Sequence, residues 1–122
     1  MAKKTDTSDK GSNGGNDNFS FEITIPAGVR LTVIDIDGTT IEGKELETLS
    51  QNAVNGVIKG TKEVLIVSDK IYFEVDAVGE PNNEVSINLK YWGKDVFQKN
   101  QTFLIQSNRR GQFLKDNLIL PK

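Results

Sequence analysis

Three stretches of alternation do most to limit what this chain can fold into. In "FSFEITI" (19–25), "KIYFEVDAV" (70–78) and "EVSINLKYW" (84–92), apolar and polar residues change places almost step by step. Successive side chains of a strand point to opposite faces, so this pattern describes strands with one buried face and one wet face. A parallel sheet covered by helices on both sides needs continuous apolar strands instead. Further β-forming stretches are "VRLTVIDI" (29–36), "TTIE" (39–42), "EVLIVS" (63–68), "TFLIQ" (102–106) and "QFLKDNLIL" (112–120). Turn-forming residues separate them: "PAG" (26–28), "GEPNNE" (79–84), "GKD" (93–95) and "SNRRG" (107–111). Short strands joined by polar turns predict a mainly β domain with antiparallel pairing, either a small β-sandwich or a partly open barrel.

One segment breaks this period. Leu46, Leu49, Ala53, Val57 and Ile58 recur at helical spacing over 44–59, with Gly60 as the expected stop. One helix packed on the sheets is therefore expected. Ahead of all this lies "MAKKTDTSDKGSNGGNDN" (1–18), whose only apolar residues are Met1 and Ala2. Such a segment cannot bury enough apolar surface to offset its ordering entropy, so a disordered N-terminal arm is expected, followed by one domain over 19–122. Three lysines in the arm (Lys3, Lys4, Lys10) match three aspartates (Asp6, Asp9, Asp17), so it is not a basic arm for nucleic acid.

Composition removes several classes of chemistry. The chain has no Cys and no His. Disulfides, thiolate nucleophiles, the usual zinc sites and imidazole acid–base catalysis are all excluded. The formal charge of −2 gives no broad attraction to a polyanion. No apolar run approaches the roughly 20 residues that span a bilayer, and the basic start lacks the apolar core of a secretory signal. The expected setting is the cytoplasm, or a virion if the protein is viral, with no membrane partner.

The segment "VIDIDGTTIEG" (33–43) carries the one catalytic motif. It resembles the first motif of the haloacid dehalogenase-like phosphatases, and "VLIVS" supplies a Ser at the end of a later apolar strand, as in that family's second motif. The resemblance covers roughly the stretch 31–68. It implies Asp35 as nucleophile, Asp37 as general acid–base, Ser68 as a phosphate contact, and Mg²⁺ bridging carboxylate and phosphate. The family also uses a Lys and a later acidic pair, and no Asp-Asp or Gly-Asp-x-x-x-Asp pattern follows Ser68. A calcium loop starting at Asp35 fails too, because its sixth and twelfth positions are Thr40 and Leu46. The residues taken alone support a hairpin. Asp-Gly between β-formers is a strong turn signal, with Gly taking positive φ freely. On that reading no catalytic set, metal or cofactor is expected.

Two further clusters are candidate contact sites. In "LKYWGKDVFQK" (89–99), Tyr91, Trp92 and Phe97 lie among Lys90, Lys94 and Lys99. Aromatics interleaved with cations can stack single-stranded nucleic acid, which makes a nucleic-acid-binding barrel one alternative. A Trp at a strand end is equally an anchor for protein contacts, and the slightly acidic balance favours that use. Arg109 and Arg110 share a turn where two guanidiniums can grip a carboxylate or phosphate. The expectation is a non-enzymatic structural or interaction module. It would dock onto a larger assembly, homo- or hetero-oligomeric, through the arm or an edge strand. A decoration or adaptor protein of a bacteriophage or viral particle is one example.

Overall fold

The computed structural model describes residues 16–121. Its strands are β1 (Asp17–Thr24), β2 (Val29–Ile36), β3 (Thr39–Ile41), β4 (Val57–Val64), β5 (Lys70–Gly79), β6 (Glu84–Tyr91), β7 (Lys94–Asp95), β8 (Gln101–Leu104) and β9 (Arg110–Ile119), with helix α1 (Gly43–Gln51) between β3 and β4. One sheet has the order β4-β1-β6-β7, with β8 also paired to β6, and the other has the order β3-β2-β5-β9. Every pairing is antiparallel. Two sheets enclose one core, so the architecture is a β-sandwich. Most of the predicted N-terminal arm, residues 1–15, lies outside the described residues. Its last two residues, Asp17 and Asn18, belong to β1 and pair with Val64 and Glu63.

The alternation in the sequence sets which side of each strand is buried. Phe19, Phe21 and Ile23 of β1 and Val85, Ile87 and Leu89 of β6 face inward. From the other sheet they meet Leu31, Ile34 and Ile36 of β2 and Ile71, Phe73, Val75 and Ala77 of β5. Among the described residues no polar or charged residue is buried. Helix α1 leaves the edge of one sheet at β3 and returns to the edge of the other at β4. Leu46 is buried in the core, and Glu45 binds Lys62 of β4 at 2.8 Å. The opposite side is closed by Phe97, whose ring lies 6.2 Å from Phe73 and 5.7 Å from Phe113.

The predicted helix is real but shorter than its apolar spacing implied. It ends at Gln51, and Val57 and Ile58 belong to β4. The cause is Asn55-Gly56, with φ of 55° and 78°, which turns the chain so that Val54 and Val57 exchange both backbone hydrogen bonds. Gly60 is not a helix stop. It sits in β4 opposite Phe21, and a Cβ there would lie 2.6 Å from the Phe21 ring.

The same turn recurs twice. Asp37-Gly38 has φ of 50° and 93° and joins β2 to β3, and Trp92-Gly93 has φ of 50° and 80° and joins β6 to β7. Positive φ at both central residues is the two-residue hairpin turn whose twist matches the strands. Gly38 and Gly56 offer a matched test. A Cβ on Gly38 meets nothing within 4 Å, whereas one on Gly56 lies 2.7 Å from the Ile25 carbonyl oxygen. Gly38→Ala should therefore cost only the conformational penalty, about 1 kcal/mol. Gly56→Ala adds a backbone clash and should cost about 2–3 kcal/mol by urea denaturation. Equal losses would show that backbone shifts absorb the clash.

Candidate interaction site

The Asp35–Asp37 motif is a hairpin. The strand after Gly38 folds straight back, pairing Ile34 with Ile41, Asp35 with Thr40 and Ile36 with Thr39. Its carboxylates hold the turn. Asp35 Oδ1 accepts from Gly38 N at 2.8 Å, and Asp35 Oδ2 accepts from the Thr40 hydroxyl at 3.3 Å. Asp37 locks the turn onto β5, its backbone N–H donating to Tyr72 O at 2.7 Å and its Oδ1 accepting from Tyr72 N at 3.2 Å. Ser68 is separate from both, its hydroxyl oxygen accepting from Lys70 N in the 65–69 loop. The sheet is antiparallel throughout, so it lacks the parallel strand ends that assemble the phosphatase site in the family the motif resembles. Among the described residues no group of three or more acidic side chains is placed to hold a metal ion.

Arg109 and Arg110 stand where the turn after Gln106 enters β9. Arg109, at φ 69°, forms an ion pair with Glu80 at the far end of the sandwich. Arg110 opens β9, its backbone N–H donating to Asn108 Oδ1.

A polar row that the sequence reading passed over lies on the outer face of β5. Tyr72, Glu74 and Asp76 alternate with the buried Ile71, Phe73 and Val75. The Tyr72 hydroxyl donates to Glu74 Oε1, and Gln112 Nε2 donates to Glu74 Oε2 at 3.2 Å. These bonds hold the Glu74 carboxyl below its ordinary range, and the same bond to Glu74 pushes Tyr72 up to about 12. Asp76 behaves oppositely. Burial, then the adjacent Glu74, push it up to about 6, and its Oδ1 has no hydrogen-bond partner among the described residues. The signal in the sequence was "YFEVD", two carboxyls two residues apart on one strand face.

This pair gives a pH prediction. A carboxyl raised in the folded state stabilises fully below its unfolded value of 3.8, and that contribution is lost as pH rises through about 6. Glu74 has the opposite sign, contributing above its ordinary value of 4.5 and losing that as pH falls. Asp76→Asn should therefore gain on the wild type between pH 4 and 7, by on the order of 1 kcal/mol once solvent screening of a half-buried group is allowed for. Denaturation at several pH values checks this, and a pH-independent difference would refute the Asp76 shift.

The aromatic cluster of 89–99 is divided between core and surface. Phe97 is buried, and Tyr91 is half-buried with its ring 5.2 Å from Phe19. Trp92 alone stands out, 58% exposed. Its indole N–H donates to Asp17 Oδ1 at 3.1 Å, and its backbone N–H donates to Asn18 O at 3.0 Å. Bulky residues are genuine outliers at positive φ. The other two turns of this kind place Asp37 and Asn55 at the same position, residue types that tolerate it.

Trp92 lies at one end of the sandwich beside a groove of about 520 Å³. Ile66, Val67, Tyr91, Leu120 and Pro121 line it, with Asp17, Asp69 and Lys94 at its polar margin. Val67 is 93% exposed and the neighbouring Leu65 60%. Burial pushes the Tyr91 phenol up, and Asp17 adds to the effect. The sequence pointed to Tyr91 and Trp92 but not to the 65–67 segment, whose apolar letters read as strand core.

One edge, that of β9, is a poorer docking surface. The free edge of β9 is interrupted by a register shift, by Lys115 and Asp116, and by Asn117 at φ 57°, which are devices that blunt edge-to-edge pairing. Among the described residues no helix is long and apolar enough to cross a membrane. In comparisons with known proteins, no family model, no curated protein and no solved structure matches this chain.

Proposed function

We propose that this protein is a non-enzymatic interaction module that docks onto a larger assembly through the Trp92 end of its sandwich. A decoration or adaptor protein of a viral particle is the kind of part meant. The observation that carries the reading is Trp92 itself. It occupies a turn position that disfavours bulky side chains, and more than half of it faces water. Strain retained at an exposed aromatic is a signature of function, and exposed Trp is the residue type most enriched among binding hot spots. The apolar groove beside it supplies the surface an anchor needs.

The test compares wild type with Trp92→Ala in extracts of the source cell or its virus, by size-exclusion chromatography and immunoblot. Wild type should elute with a large assembly, and the variant as free protein of 13.5 kDa. Identical elution of the two would overturn the reading. Mg²⁺-dependent hydrolysis of an aryl phosphate, lost in Asp35→Asn, would overturn its non-enzymatic part.

A further inference from the structure

We infer that the partner seated at the Trp92 end is an extended peptide segment carrying a proline or aliphatic anchor beside a lysine or arginine. This rests on the interaction reading above and adds the chemistry of the partner. Three features of the groove point to it.

The first is how Trp92 is held. Asp17 already takes the indole N–H, so the ring has its apolar faces to offer and no donor to spare. Ile66, Val67, Leu120 and Pro121 continue that apolar surface. An aliphatic or prolyl side chain matches it, whereas a polar anchor would be desolvated without a partner.

The second is the backbone of 65–67. This segment lies between β4 and β5, outside both strands. Among the described residues, the N–H and C=O groups of Leu65, Ile66 and Val67 make no hydrogen bond. They lie beside the groove, on a segment with two strongly exposed side chains. An extended peptide satisfies such groups by pairing along them and sends alternate side chains into the groove. A helix keeps its own backbone bonds within itself and would leave them unpaired.

The third is charge. Among the described residues, two carboxylates, Asp17 and Asp69, line the groove against one ammonium, Lys94. A basic side chain next to the anchor complements this margin, and an acidic one is repelled.

A display library of random decapeptides tests the inference when panned on the immobilised full chain. Trp92→Asn, its fold checked by circular dichroism, serves for counter-selection. The wild-type pool should be enriched several-fold in Lys or Arg adjacent to Pro or aliphatic residues. A synthetic peptide of the leading sequence, labelled with fluorescein, should bind wild type and lose at least tenfold in affinity to Trp92→Asn. Asp69→Lys should weaken the same peptide about tenfold. Enrichment of acidic or uncharged peptides would overturn the inference while leaving the Trp92 reading in place. Identical pools from wild type and Trp92→Asn would overturn both. Concentration-dependent dimers seen by sedimentation and abolished by Trp92→Asn, with no peptide enriched, would assign the groove to a second copy and overturn the peptide.

Discussion

Phe73→Ala should cost the fold about 3–5 kcal/mol, the largest stability loss expected of a single substitution here. A domain of this size has about 5–15 kcal/mol in total, so the variant should be marginally folded at 25 °C. Phe73 is fully buried in β5, with Ile36 of β2 on one side and Lys115 of β9 on the other. Its ring also lies 6.2 Å from Phe97 and 6.1 Å from Phe113. Phe97 comes from the segment after β7 that closes one side of the sandwich. Truncating Phe73 therefore leaves a cavity and withdraws the surface on which that closure rests. Urea denaturation should show a lower midpoint with an unchanged slope, and Phe73→Leu should fall between the two. A loss under about 1 kcal/mol would mean that the core collapses freely around the gap.

Phe73 also shows why so much of the fold was legible. It lies in a segment whose alternation sorts its residues between core and solvent, and such a segment has one workable register. The same holds for 19–25 and 84–92. What could not be read was where one period gives way to another. Leu46, Leu49, Ala53, Val57 and Ile58 fit a helix as letters, but Asn55-Gly56 lies among them and is the strongest short hairpin signal in that segment. It outweighs the apolar spacing because both residues take positive φ at little cost. Gly60 misled for a related reason. A glycine after a helical pattern suggests a cap, yet this one makes room for the Phe21 ring across the sheet, a tertiary demand invisible to local reading. Of the candidate site, Tyr91 and Trp92 were legible as a cluster. The contribution of 65–67 was not, because exposure of an apolar run depends on where β4 stops pairing.

Trp92→Asn and Trp92→Ala should lose partner binding alike, yet differ in stability by about 1 kcal/mol in favour of Asn. Both remove the exposed ring, and loss of a central Trp anchor typically costs 2 kcal/mol or more, roughly thirtyfold in affinity. Both also forfeit the bond to Asp17 and the part of the side chain that is covered, so these losses cancel in the comparison. What remains is the backbone. Ala at φ 50° keeps the steric penalty of a Cβ in the left-handed region, and Asn is among the residues that tolerate it. Asn followed by Gly93 would also reproduce the Asn55-Gly56 turn that the chain already uses. Thermal denaturation measures the stability difference, and titration with the selected peptide measures affinity. If both variants bind as wild type does, Trp92 serves only to cover the start of β1 through Asp17 and Asn18, and the docking site must be sought elsewhere. If binding is lost while Asn proves more stable than the wild type as well as than Ala, the chain retains at this turn a residue that costs it stability. Partner contact is then the use that accounts for the cost.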